Sequence, residues 1–484
     1  MSEILKLKPE NVWKHFHAIT QIPHPSKKEA KLVEYLLNFG KSLGLETFTD
    51  KIGNVIIRKP ATPGMENRIG VVLQAHVDMV PQKNSDKIHD FEKDPIQTRI
   101  EGEWVKANGT TLGADNGIGM ASIMAILEAN DLQHGPIEAL LTIDEEAGMT
   151  GAKNIEHGIL KGEILLNTDS EDEGELYVGC AGGVDVNVSM NYEEVNVPVG
   201  FVAYNLAITG LKGGHSGMDI NIGRANSNKL LFRFLNHCLY HFNIKLSKVS
   251  GGNLRNAIPR EAFAIVLVPQ NEAVSFENEV SKFENIYKNE FGVADPDLKM
   301  QAVKTDMPAK IMNQEDMVKV IKATFACPHG VERMSDSMPG LVETSNNLAI
   351  VRIEDGKFTV NCLVRSSVDT AKEGTMYKIG TIFDLIGANV SFDGSYPGWK
   401  PNLDSPILKT MQTVYEKLYG KTPEIKAIHA GLECGILGAA YPNWDMISFG
   451  PTIRSPHSPD ERVYIPSVEK FWNFLVETLK NIPI

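Results

Sequence analysis

The chain has 484 residues, 42% hydrophobic and 23% charged, a length and balance that can bury a sizeable core and so exclude a disordered, collagen-like or small disulfide-stapled protein. At about 100 to 200 residues per domain, the length points to two to four domains. Forty-eight Lys and Arg against 61 Asp and Glu leave a formal charge of −13, the wrong sign for general affinity to nucleic acid or anionic membrane.

The N-terminal MSEILKLKPENVWKHF has no basic stretch followed by an apolar run, so no signal peptide is expected. Apolar runs such as AIVLVP (264–269) are far too short to span a bilayer. The five cysteines (Cys180, Cys238, Cys327, Cys362, Cys434) are odd in number and form no C-x-x-C pair. They read as buried, reduced thiols of a cytoplasmic protein. Cys327 with His329 would also suit a fragment of a metal site, but nothing nearby completes it, and the thiol reading is preferred.

In chain order, RIGVVLQAHVDMV (68–80) is an apolar run ending in polar residues, the pattern of a buried parallel strand. NGIGMASIMAILEAN (116–130) has helical apolar spacing, and EALLTIDEE (138–146) and EILLNTD (163–169) are again short strands ending in acids. This alternation predicts a parallel sheet flanked by helices. Near residue 184 the texture changes to period-two alternation, GVDVNVSMNYEEVNVPVGFVAYNLAITGL, which predicts antiparallel strands with one wet face. GSYPGWKPNLDSP (394–406) reads as a connection, after which helix (SPILKTMQTVYEKLYG), strand (NWDMISFG), loop and helix (VEKFWNFLVETL) resume the first rhythm. The expected fold is α/β: one domain with a mostly parallel sheet, residues 1–186 and 396–484, interrupted by an inserted α+β domain, residues 187–395. No internal repeat is visible.

Thirteen histidines are present, so placement must carry any argument. His76 and Asp78 end a strand in QAHVDM, and period two puts both side chains on one face. Asp78 either fixes the tautomer of a metal-bound His76 or caps the strand end. Asp115, in TTLGADNGIGMAS, reads as a helix N-cap, a nucleotide loop or a metal ligand. The glycines fit a dinucleotide fingerprint only loosely, and an acid stands where a phosphate would sit. Asp144, Glu145 and Glu146 repel one another unless solvated or neutralised by a cation. Asp169 ends EILLNTD, and His457 lies in the Pro-stiffened loop FGPTIRSPHSPDERV. Four strands therefore each lead to a metal-capable residue (His76, Glu146, Asp169, His457), and Asp115 opens a helix of the same domain. Ligands of open α/β sheets gather at the carboxyl ends of strands. Two His and three carboxylates without Cys suit Zn²⁺, Mn²⁺ or Co²⁺, and five ligands with one bridging carboxylate suit a pair of ions.

The series HVD, GADNG, DEEAGMTGA, NTDSEDEGE, GGHSG and SPHSPDE resembles metallopeptidase family M20, essentially end to end. The resemblance implies a di-zinc-peptidase-type catalytic domain interrupted by a lid domain, with room in the lid for two subdomains. It implies two divalent ions per chain, Zn²⁺ first and Co²⁺ or Mn²⁺ next: one on His76, Asp115 and Asp169, the other on Asp115, Glu146 and His457. Asp78 would orient His76, Glu145 would be the general base, and the Asp115–Asn116 peptide would be cis. His215 would stabilise the oxyanion, Asn256 and Arg365 would bind the substrate's C-terminal end, Gly431 would offer backbone contacts, and Glu433 would meet the free amine. Without the resemblance, His215 reads as a turn histidine among glycines and Arg365 as a surface residue. The implied activity is hydrolysis of unblocked dipeptides, Xaa-His such as carnosine included, by a cytoplasmic homodimer; the rivals are an N-acyl amino acid deacylase or aminoacylase, a di-zinc aminopeptidase on another fold, and a nucleotide-dependent oxidoreductase.

Overall fold

The apolar runs of the first third form strands buried along their whole length. Val71–His76 (β1), Ile137–Thr142 (β2) and Ile164–Asn167 (β3) are buried at every residue, and Asp445–Ser448 (β4) at all but its first. The structure is a computed structural model and describes residues 2–484. The four strands run parallel in the order β2-β1-β3-β4. Val55–Lys59 joins them antiparallel on one side, with Glu46–Thr49 antiparallel to it, and Glu175–Cys180 joins antiparallel on the other, with Glu424–Ile428 outermost. The α/β expectation for this part holds.

Ala114–Glu128 (α1) is the helix expected after β1, but it is buried all round: every residue from Asn116 to Leu127 is inaccessible. Its small residues let the backbone press on the sheet. A Cβ on Gly119 would lie 2.8 Å from the Thr168 carbonyl oxygen, a distance only glycine tolerates.

The chain divides into two compact units. One comprises residues up to Gly179, Pro401–Ala427 and Leu432–Ile484; the other comprises Cys180–Lys400 and Ile428–Gly431. The second unit is built on an antiparallel sheet. Its path runs Lys299–Thr305, Phe201–Thr209, Ala262–Pro269, Lys245–Gly251, Val342–Glu354, Lys357–Ser366, Gly182–Asn191, Asn389–Tyr396. Period-two burial along Gly182–Asn191 confirms the wet and dry faces read from the sequence. The dry face shares one apolar cluster with the helices Ser227–His241, Ala273–Phe291, Gln314–Ala326 and Asp369–Asp384.

The strand path contains a repeat that the sequence hides. Residues 201–305 run β-α-β-β-α-β with spatial order fourth-first-third-second; the remainder of the unit repeats that order in mirror sequence, and the two second strands, Lys245–Gly251 and Val342–Glu354, join the halves. Period two marks each strand but says nothing about which strand it pairs with.

All five cysteines are buried, and no disulfide joins them among the described residues. His329, beside Cys327, is no metal fragment: its Nδ1 accepts hydrogen bonds from Asn226 Nδ2 (3.1 Å) and Leu348 N (3.4 Å). Among the described residues no helix is long and apolar enough to cross a membrane.

Burial, with Lys229 nearby, holds the His329 imidazole down at about 3. The unfolded chain therefore binds this proton first, so the stability is complete above about pH 6.5 and is lost as pH falls toward the folded value. At pH 5 the loss is about 2 kcal/mol for this one residue. Denaturant unfolding at pH 7 and pH 5 is expected to show a pH dependence smaller by about that amount in His329→Gln than in the parent chain; equal dependences would exclude the role.

Candidate metal centre

Because β1 to β4 are parallel, their carboxyl ends lie at one edge of the sheet. β1 ends on His76 itself. The short helix Glu145–Gly148 follows β2, Asp169 follows β3, and the loop carrying His457 follows β4. Asp115 stands at the start of α1 with non-helical backbone angles (φ −82°, ψ 109°), and the Asp115–Asn116 peptide is cis, as the resemblance implied.

The five expected ligands converge. His76 Nε2 lies 3.1 Å from Asp115 Oδ1 and 3.3 Å from Asp169 Oδ1. His457 Nε2 lies 3.3 Å from Asp115 Oδ2 and 2.9 Å from Glu146 Oε2. Each oxygen of Asp115 thus faces a different histidine. Ligand atoms of His76, Asp115 and Asp169 lie within 4.8 Å of one another, as do those of Asp115, Glu146 and His457, and of His76, Glu145 and Glu146.

The electrostatics are those of crowded buried carboxylates. Burial pushes Glu145 well up, and also raises Glu146 and Asp169. Burial works the same way on Asp115, but hydrogen bonds from His457 and His76 overcome it and hold that carboxyl low. Hydrogen bonds to Asp115 and Glu146 lift His457 to about 11. Burial disfavours a charged His76, yet Asp169, Asp115 and Asp78 together raise it well above an ordinary imidazole. Burial and the charges of Asp115 and Asp169 carry Glu171 to about 8. Glu146 Oε1 is buried without a hydrogen-bond partner among the described residues. A nitrogen and oxygen donor set of this kind, with an orphaned buried oxygen, fits borderline divalent cations.

Asp78 is placed as expected but acts differently in part. His76 Nδ1 lies 2.9 Å from the Asp78 main-chain carbonyl and 3.4 Å from its carboxylate. The carboxylate accepts from the amides of Glu145 (2.9 Å) and Glu146 (3.2 Å), so it holds the glutamate pair as well as the histidine. Glu433 is sealed from solvent. It accepts hydrogen bonds from Gln74 Nε2 (2.6 Å) and Thr142 Oγ1 (2.7 Å), while its Oε1 has no partner among the described residues. Burial lifts it to about 7.

The remaining expected residues lie in the second unit. His215 sits in the two-residue strand Gly214–His215, paired with Ala257–Ile258. Its Nδ1 accepts from the amides of Gly217 (3.2 Å) and Met218 (3.0 Å), which leaves the proton on Nε2. Burial, then the Arg365 charge, lowers its pKa, so the ring is a neutral donor. Asn256 accepts from Ser216 N through its carbonyl (2.8 Å). Arg365 is buried, not a surface residue; it donates to Ser216 Oγ (3.3 Å) and Tyr396 Oη (3.2 Å). Gly431 ends the segment Ile428–Gly431 that clusters with this unit. Sequence reasoning passed over His429 there, whose Nε2 lies 2.7 Å from Ser345 Oγ and whose pKa burial, Arg365 and His215 together depress to about 3. Its position in HAGLECG was the available signal.

Residues 72–481 match peptidase family M20/M25/M40, and the chain belongs to that family, whose metallopeptidases use divalent metals. It is 48% identical over 486 residues to the cytosol non-specific dipeptidase of Escherichia coli (strain K12), covering all of both chains. It is similar to the aminoacylhistidine dipeptidase of Vibrio alginolyticus at a TM-score of 0.96 and 50% identity, covering 100% of this chain and 98% of that one. A tripeptidase of Staphylococcus aureus shares the fold, at a TM-score of 0.57 and 14% identity over 98% of this chain and 99% of that one.

Cation binding is expected to stabilise the fold. Chelator-stripped protein given Zn²⁺ at a hundredfold excess over Kd should gain about 2.7 kcal/mol of unfolding free energy, read by denaturant titration. No gain, or an equal gain in Asp115→Ala, would remove this cluster as the binding site.

Proposed function

We propose that the protein is a dinuclear metallo-dipeptidase that hydrolyses unblocked dipeptides of broad specificity, Xaa-His such as carnosine among them. The observation that carries this is the two-sided carboxylate of Asp115, facing His76 through one oxygen and His457 through the other, with Asp169 against His76 and Glu146 against His457. His76, Asp115 and Asp169 would hold one ion, and Asp115, Glu146 and His457 the other, with Zn²⁺ preferred to Co²⁺ or Mn²⁺. Bound there, two divalent ions supply an acidified water, its pKa brought toward about 7, and a sink for negative charge on the scissile carbonyl.

The protein's own groups do the rest. Glu145, whose carboxyl burial lifts well above the ordinary range, takes the proton of the attacking water and returns it to the leaving amine. Asp78 keeps both glutamate amides in register. His215 donates from Nε2 to the developing oxyanion, the role its occupied Nδ1 leaves it. Arg365 and Asn256 take the substrate's C-terminal carboxylate end, for which a guanidinium fork is shaped. Gly431 contributes backbone contacts, and Glu433 offers its unpartnered oxygen to the free amino group. Recognition of both termini restricts the substrate to short peptides. In this reading residues 1–186 and 396–484 are the catalytic domain, residues 187–395 a lid, and the working form a cytoplasmic homodimer. The names of the Escherichia coli and Vibrio relatives support dipeptides over N-acylated amino acids.

Glu145→Gln is expected to retain two metal equivalents per chain while turnover of a dipeptide panel falls about 10²–10⁴-fold; substantial residual turnover, or a single equivalent bound, would refute this assignment. His215→Ala should lower kcat by about 10²-fold or more with little change in KM. A raised KM at constant kcat would make it a binding residue only. Faster cleavage of N-acyl amino acids than of dipeptides would favour a deacylase.

A further inference from the structure

A second carboxylate organises this centre without facing it. Glu461, four residues beyond His457 in SPHSPDE, is 2% exposed. Its Oε2 accepts from the amides of Leu112 (2.7 Å) and Gly113 (3.0 Å), and its Oε1 from those of Ala114 (2.8 Å) and Asp115 (3.2 Å). A carboxylate has about four acceptor positions, and here all go to one run of backbone.

That run leads into α1, whose first amides lack partners within the helix. No side chain of the helix's own start caps it, and Gly113 is left-handed (φ +72°), so consecutive N–H groups turn inward to form an anion-binding hollow. Glu461 fills the hollow from 346 residues away in sequence. It does so from the loop that carries His457, whose side chain is 52% exposed. The same loop bends through Ser455 (φ +54°) and His457 (φ +59°) and closes on itself where the Glu461 amide donates to the Ser458 carbonyl (2.9 Å). One carboxylate therefore ties together the two loops whose side chains meet at Asp115 Oδ2 and His457 Nε2.

We infer that Glu461 is a positioning residue for the metal centre, setting Asp115 and His457 against each other so that the Asp115–Glu146–His457 side of the centre is formed. This rests on the dinuclear reading above. A mere structural cap would serve helix stability and leave the ligands indifferent.

The test is a Co²⁺ titration of chelator-stripped protein, followed by visible absorption and equilibrium dialysis, for the parent chain, Glu461→Gln and Glu461→Asp. In Glu461→Gln one oxygen becomes an amide that meets two N–H groups. The second Co²⁺ equivalent is expected to weaken at least tenfold with an altered spectrum, and kcat to fall with KM nearly constant. Glu461→Asp, which keeps the charge but is one carbon short, should lie between. A lowered Tm with unchanged Co²⁺ affinity, spectrum and kcat overturns the inference; if Glu461→Gln does not fold, Glu461→Asp decides by the same criterion. The titration uses no peptide, so the two readings fail separately. A parent chain that binds two Co²⁺ but cleaves no dipeptide sinks the dipeptidase reading alone, and unchanged Co²⁺ binding in both variants sinks this one alone. A parent chain that takes up a single equivalent sinks both.

Discussion

Burying charge at the end of an apolar sheet is the constraint on which the first unit depends. β1 to β3 are buried at every residue, so a carboxylate at this edge depends on protein groups rather than on water from beneath. An isolated buried charge costs several kcal/mol, and pairing recovers that only with good geometry. The cluster meets the requirement unevenly. Asp115 has two imidazoles and stays low, while Glu145, with burial dominant and other acids around it, is driven high. Carboxylates pushed apart in this way can take different roles. The parallel direction of the strands is what makes the cluster possible, since it delivers every ligand-bearing segment to the same edge.

Much of this was legible in the sequence because each link had its own local signal. Short apolar runs ending in polar or acidic residues marked β1, β2 and β3, and the residues at or just past those ends (His76, Glu145, Glu146, Asp169) are the ones that meet. His457 was legible only by its Pro-rich loop and the family motif. Glu461 was not, because a glutamate in such a loop reads as solvated surface, and only the folded chain shows four amides waiting for it. Asp78 was half legible: period two predicted its face, but its grip on the Glu145 and Glu146 amides is a contact between distant segments. The burial of α1 on all sides was missed for a related reason. Its Gly and Ala positions count as neutral in a periodicity yet permit close packing against the end of β3.

In the second unit the local structure of GGHSG bears out the plain reading and is compatible with the role proposed for His215. His215 ends a short strand, and the turn that follows it supplies the two amides that occupy Nδ1. A Cβ on Gly217 would lie 2.0 Å from the His429 carbonyl oxygen, and the Gly217 amide is one of two that occupy His215 Nδ1. The two amides fix the tautomer, and the glycine lets the His429 carbonyl lie against the same turn. The doubled β-α-β-β-α-β order escaped notice because pairing partners are chosen by long-range closure.

The order of the chain carries a consequence for synthesis. β4 comes from residues 445–448 and lies beside β3 from residues 164–167; between them in sequence lies the whole second unit. A growing chain can form β1, β2 and β3 early, but the neighbour of β3 and the His457 loop arrive only after more than four hundred residues have been made. Domains fold as they emerge, N-terminal parts first, so the insertion can fold while the interrupted sheet waits with an open edge. The hydrolytic centre is accordingly completed last, which leaves an unfinished chain without the means to cut peptides.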